Sequence, residues 1–251
     1  MMKFLYTSDI HASPEHLYSM LSVAEKEKVD CIIIGGDIVP HYLPDTRTVG
    51  VLKAQGIYLE NIFIPTLRNF KKHLDASIYL DLGNDDFVAN RNILKSHENN
   101  LLYLLHMRKY KLIDGVDIIG YMNVPPTPFT RKDWEKPDSA KMPFAKGNQV
   151  SLDGYSSKSG DIEKTFIDLE SHDTIEKDLA QLSQIITGAF IFVSHSPPYL
   201  TDLDVLDNGL HVAASASNGL SKNGLKTISL SYPCMAISTG LRTDPALLVH
   251  I

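Results

Sequence analysis

Four short polar stretches carry side chains able to do chemistry together: Asp9-Ile10-His11, Gly35-Gly36-Asp37, Gly83-Asn84-Asp85-Asp86 and His195-Ser196-Pro197-Pro198. They offer carboxylate and amide oxygens and imidazole nitrogens, with no thiolate. That donor set suits Mn, Fe, Zn or Co. Asp9 and His11 are two residues apart, so in an extended chain both point to one side and can hold one ion. Gly35 and Gly36 allow a sharp bend and a close approach of ions or substrate. Each fragment alone has an ordinary reading. Asp-x-His is a loop with a capping aspartate, Gly-Gly-Asp a turn, and Gly-Asn-Asp-Asp a turn or helix N-cap. His195 alone reads as a satisfied histidine at a strand end. Their joint occurrence, in order and each directly after an apolar run, points to a metal site.

The apolar runs that must position these residues alternate with helical patterns. Phe4-Leu5-Tyr6 reads as a strand, and Pro14 to Lys28 as a helix with Leu17, Leu21 and Ala24 on one face and Pro14 in its first turn. Cys31–Ile34 is the short continuous apolar run of a strand buried on both sides. Leu59 to Leu74 reads as helical, with Pro65 starting a second segment, and Ser77–Leu82 as a third strand. This alternation predicts an α/β layered domain. Its ligands are expected at the carboxyl ends of the strands, where the four polar loops converge. Weaker strands follow at Tyr110–Ile113 and Val116–Tyr121. Residues 122–160, with five prolines and a Ser/Gly/Lys stretch, read as one long irregular segment. Asp173 to Gln184 reads as a helix capped by Asp173 or Thr174. Ala189–Val193 is a clear strand and Pro233–Ser238 a later one.

Composition narrows the functions. The chain has 251 residues, 43% apolar and 22% charged, enough to bury a sizeable core as one domain. A formal net charge of -6 gives no reason to expect nucleic-acid affinity, and it repels anionic substrates at long range. Any phosphate binding must therefore come from a local cation or a local basic cluster. Cys31 and Cys234 read as buried strand residues, in keeping with a reducing cytoplasm. No signal-peptide pattern opens the sequence, and no apolar run approaches the roughly 20 residues that span a bilayer.

The ordered set of motifs resembles the calcineurin-like metallophosphoesterase superfamily, whose pattern is Asp-x-His, Gly-Asp, Gly-Asn-(His/Asp), His and Gly-His-x-His. It looks closest to a bacterial and archaeal branch reading Gly-Asn-Asp-Asp, with a stretch like Pro125–Glu135 and a His-Ser-Pro-Pro. The resemblance implies an α/β fold of two packed mixed β-sheets flanked by helices, four layers in all, in one domain over 1–251. It implies that Asp9 and His11 bind a first ion, Asp37 bridges two ions, and Asn84 and His195 bind the second. Two divalent ions about 3.5–4 Å apart would generate a metal-bound hydroxide that hydrolyses a phosphate mono- or diester in line. The partner is then a phosphate-ester small molecule or a nucleotide. Asn84 and Asp85 take the catalytic positions, with Asp85 where many members carry a histidine that protonates the leaving group. An aspartic acid does that work only with a raised pKa, for which Asp86 is a neighbour of the right sign while two nearby cations push the other way; the plainer reading of Asp85 is an aspartate that shapes its loop.

The sequence departs from the family at its last motif. Gly240-Leu241-Arg242-Thr243 stands where Gly-His-x-His is expected, which removes one ligand from each ion; His211 and His250 are replacements by residue type only. Ala246–Ile251 is an apolar run with no closing element, so the domain reads as shortened at its C-terminus. The alternative function is a catalytically impaired scaffold that binds a ligand or partner. Arg131, Lys132 and Trp134 suggest either a lid over substrate or a solvated basic pair beside a packed tryptophan. Gly219–Thr227 resembles a phosphate-binding loop but has the wrong spacing and no strand before it.

Overall fold

In the computed structural model, the structure describes residues 2–41, 48–144 and 149–197, and the backbones of Thr227–Leu230 and Leu247–His250. The chain is α/β with two larger mixed sheets and a small two-stranded one. It divides into two compact units. The first draws on residues within 1–104, 156–163 and 242–251, the second on residues within 105–155 and 164–241.

The first unit is a five-stranded sheet. Strands β1 (Lys3–Thr7), β2 (Cys31–Ile34), β3 (Ser77–Leu80) and β4 (Tyr103–Leu104) run parallel, and β11 (Leu247–His250) pairs antiparallel with β1. All four residues of β2 are buried, as the unbroken apolar run predicts for a central parallel strand. The register places Thr7 beside Ile34 and Ile34 beside Leu80. The first three motifs therefore leave the sheet from one edge, at one level.

Helix α1 (Pro14–Glu27) follows the first motif. Ser13 caps it, its Oγ accepting from the His16 N–H at 3.2 Å, and Pro14 sits in the first turn. Leu17, Met20, Leu21 and Ala24 form its buried face, the larger three worth roughly 1.5–3 kcal/mol each. Lys28 closes it in the left-handed conformation at φ 51.

Helix α2 (Thr48–Tyr58) was not expected from the sequence. Its two glycines, two valines and a threonine are poor helix formers, so its helicity is imposed by packing. It runs through a π turn (Leu59–Phe63) into α3 (Ile64–Phe70), which ends before the predicted Leu74. Pro65 brings no N–H, and the Ile64 N–H reaches back to the Leu59 carbonyl, so the wider turn absorbs the proline. A short helix α4 (Arg91–Lys95) follows the third motif. Arg91 grips the buried Asp81 through two 2.8 Å bonds.

The expectation that the last residues contain no closing element is incorrect. Residues 247–250 form β11, and their unpaired backbone groups are satisfied along β1. His250 pairs with Lys3, at the end of β1 opposite to Thr7.

In the second unit, β5 (Arg108–Ile113) and β6 (Val116–Tyr121) form a hairpin. Strand β9 (Ala189–Ser194) lies parallel to β6, and β10 (Thr227–Leu230) parallel to β9. Helix α5 (Ile175–Ser183), capped by Thr174, packs Ile175, Leu179 and Leu182 against Ile119, Tyr121, Phe190 and Phe192. The stretch 122–160 is less irregular than expected. Bridges at Val124–Glu135 and Arg131–Tyr155 tie it together, and β7 (Asp153–Ser156) pairs with β8 (Glu163–Phe166). Lys132 is neither a lid residue nor solvated. It is 1% exposed and bonded to the equally buried Glu135 at 2.9 Å, because a charge so deep needs a partner. The predicted strand Pro233–Ser238 and the Gly240–Thr243 motif lie outside the described residues, as do Cys234, His211 and the Gly219–Lys226 loop. Cys31 is buried as expected. Among the described residues no helix is long and apolar enough to cross a membrane.

Candidate metal centre

The loop after β1 is not extended, so the expected reason for Asp9 and His11 acting together is wrong. Asp9, His11 and Ala12 take left-handed backbone at φ 55, 46 and 57, and Asp37 at φ 52. Such conformations cost on the order of 1–3 kcal/mol each in non-glycine residues and persist only where surrounding bonds enforce them. Here those bonds join the first two motifs. Asp9 N–H donates to the Gly36 carbonyl at 3.1 Å, His11 N–H to Asp37 at 2.9 Å and Ala12 N–H to Ile38 at 2.9 Å.

The result is a cluster. One ligand atom from each of Asp9, His11 and Asp37 lies within 4.8 Å of the others. His11 Nε2 stands 3.8 Å from an Asp9 oxygen and 3.9 Å from an Asp37 oxygen. Those separations are too long for hydrogen bonds. They fit a shared cation, because two ligands about 2.1 Å from one ion lie at most about 4.2 Å apart. His11 Nδ1 is buried without a hydrogen-bond partner, the condition of a donor atom kept for something other than protein. The donor set and its spacing therefore fit a divalent transition metal.

The two glycines divide their work. Gly36, at φ 112, turns the chain toward Asp37. At Gly35 a Cβ would run into the Tyr6 hydroxyl, so this glycine serves packing of the protein on itself and not the approach of an ion.

The third motif is locked to the second through Asp86. Its fully buried carboxylate accepts from the N–H groups of Ile38 (3.1 Å), Val39 (3.1 Å) and Gly83 (2.9 Å). Burial, then the charge of Asp37, push its carboxyl above the ordinary carboxylate range, while the three amides pull it down. Asp86 thus shapes the loop, the role that sequence reasoning weighed for Asp85. The Asp85 N–H donates to Asp37 at 2.9 Å, and its carboxylate joins His11 and His41 in a second group of ligand atoms within 4.8 Å. Asn84, immediately before it, is 2% exposed. His195 lies in the second unit just after β9, buried, its N–H bonded to the Tyr121 carbonyl at 3.3 Å.

Sequence reasoning missed His41 and Gln55. Gln55, fully buried on α2, donates from one amide nitrogen to the carbonyls of Pro40 (3.1 Å) and Asp85 (2.9 Å), and accepts from the Phe87 N–H (2.9 Å). The only signal for His41 was its place four residues after Asp37.

No curated protein matches the chain in sequence. Among solved structures, one aligns with a TM-score of 0.59 at 12% identity, over 92% of this chain and 83% of its own. The protein TT1561 of Thermus thermophilus aligns at 0.51 and 13% identity, over 88% of this chain and 76% of its own. At such identities these likenesses show the fold alone. A dimetal phosphatase from Danio rerio aligns at 0.43 and 10% identity, over 88% and 76%, too loosely to carry weight. The profile of the calcineurin-like phosphoesterases matches residues 2–227, most of the chain, and on that match the protein belongs to the calcineurin-like phosphoesterase family.

Proposed function

We propose that this protein is a metal-dependent phosphoesterase acting on a phosphate mono- or diester, either a small molecule or a nucleotide. The observation that carries the reading is the cluster of Asp9, His11 and Asp37, held in left-handed backbone with their ligand atoms within 4.8 Å. Asp9 and His11 would hold a first ion, and Asp37 would be shared with a second. Asn84 and His195 are assigned to the second ion on motif order, in the branch of the family that reads Gly-Asn-Asp-Asp. Bound ions, two of Mn, Fe, Zn or Co, would supply positive charge at the phosphoryl oxygens and acidify a water. The protein's own part is orientation. Asp86 and Gln55 fix the loops, the Asp85 N–H steadies Asp37, and Asn84 stands beside them to position the ester. Asp85 is assigned its catalytic position on motif order alone. The match over residues 2–227 supports a single domain.

The test is hydrolysis of p-nitrophenyl phosphate and bis-p-nitrophenyl phosphate by metal-stripped protein with Mn²⁺ added back. Turnover that requires Mn²⁺ and disappears in Asp37→Ala supports the reading. Absence of turnover with every one of the four metals refutes it.

A further inference from the structure

A second group of ligand atoms adjoins the first. His11, His41 and Asp85 each offer an atom, all within 4.8 Å of one another. The His11 and His41 rings lie 4.2 Å apart between centroids, tilted by 60°, which is not a stacking geometry. His11 belongs to both groups, and to serve an ion in each at once it would be an imidazolate, its one N–H proton released to water as the second ion binds. Nε2 stands near Asp9 and Asp37, whereas Nδ1 is buried and has no protein partner.

The backbones carrying the other two residues are tied to one another. A single amide nitrogen of the buried Gln55 binds the Pro40 carbonyl, directly before His41, and the carbonyl of Asp85. Asp86 holds the N–H groups of Ile38 and Val39. The Asp85 N–H is fixed on Asp37. The loops that carry the three side chains are thus tied together by buried and part-buried hydrogen bonds, the support that a metal site requires around its ligands. Four carboxylates, Asp9, Asp37, Asp85 and Asp86, belong to these loops, and a cation among them would offset their repulsion.

We propose that His41 is a metal ligand: with His11 and Asp85 it forms a two-imidazole, one-carboxylate seat for a divalent transition-metal ion beside the Asp9–His11–Asp37 group. This rests on the metal-centre part of the reading above and adds a residue to it. Two imidazoles and a carboxylate leave coordination positions open, as an ion that meets substrate needs.

The experiment is titration of metal-free, full-length protein with Co²⁺, followed by visible absorption and by calorimetry, for wild type, His41→Phe, Asp85→Asn and Asp9→Asn. Phenylalanine keeps a ring against His11 and removes both nitrogens. His41→Phe and Asp85→Asn should weaken the same binding step, by about 10–100-fold, with a shift in the Co²⁺ spectrum, while Asp9→Asn weakens the other step. Melting of the metal-free variants should match wild type, which separates ligand loss from misfolding; for a variant that melts early, His41→Gln provides the same comparison. Co²⁺ binding by His41→Phe indistinguishable from wild type overturns the inference. If that occurs while the protein still hydrolyses p-nitrophenyl phosphate, the phosphoesterase reading stands alone. Binding through His41 without any hydrolysis overturns the phosphoesterase reading and keeps this one.

Discussion

Replacing Lys132 by methionine should destabilise the protein without touching its chemistry, and the size of the effect follows from its surroundings. Both Lys132 and Glu135 side chains are fully shielded from solvent. Lys132 Nζ donates to the two Glu135 oxygens at 3.0 and 2.9 Å and to the Thr127 carbonyl at 3.1 Å. Glu135 also accepts from the Thr127 N–H at 3.1 Å and the Thr127 hydroxyl at 2.5 Å. Removing one partner of such a pair leaves a buried charge and costs about 3–5 kcal/mol, or roughly 6–20 °C in melting temperature at this size. Burial already raises the Glu135 carboxyl above its ordinary value of 4.5, against the pull of Thr127 and Lys132. A carboxyl with a raised folded pKa contributes stability below its unfolded value and loses it as pH rises through the folded value. The Lys132→Met deficit should therefore be largest at neutral pH and shrink as pH falls toward 4.5. Adding Glu135→Gln should recover much of it, because a neutral amide still accepts from Thr127 and needs no counter-ion. Urea melts across pH measure this. A Lys132→Met protein of wild-type stability that has lost hydrolysis would refute the buried-pair reasoning and restore a substrate-facing lid.

Three further outcomes follow from the same kind of reasoning. Cys31 is shielded by β2's neighbours and burial pushes its thiol up to about 12, so iodoacetamide at pH 8 should leave it unmodified until the protein is unfolded in denaturant, as read by the mass of the peptide that contains Cys31. Tyr121 donates to Asp178 at 2.7 Å, and burial, then Asp178, raise its phenol above the ordinary 10.0; that contribution is intact below pH 10.0 and lost as pH rises above it, so Tyr121→Phe should flatten the alkaline loss of stability in melts above pH 10. Asp86→Asn puts an amide NH₂ against backbone donors and leaves at least one N–H unsatisfied. It should cost about 2–4 kcal/mol in denaturant melts and lower Mn²⁺ affinity through the displaced 37–41 loop.

How far the sequence was readable depended on whether the cause was local. Strand β2 and helix α1 were legible because an unbroken apolar run and a 3.6-residue stripe each report their own burial. Helix α2 was not, since Gly50, Gly56 and the valines argue locally against a helix that tertiary contacts enforce. The types and order of Asp9, His11 and Asp37 were enough to place them together. Their left-handed backbone was invisible, because nothing in Asp-Ile-His announces the bonds to residues 36–38 that hold it. His41 was silent for a similar reason: its neighbours His11 and Asp85 are distant in sequence and meet it only through the bonds of Gln55 and Asp86. Lys132 looked solvated because lysine usually is, although Glu135 three residues on was the available signal for a buried pair.

The most direct measurement is the metal content of full-length protein dialysed against Mn²⁺, compared between wild type and Asp37→Ala, whose carboxylate is taken to touch both ions. Wild type should retain the ions that Asp37 touches and the variant should lose them, with the metal-free forms of both melting alike. Equal metal content in the two proteins, or none in either, would contradict a shared cation site at Asp9, His11 and Asp37.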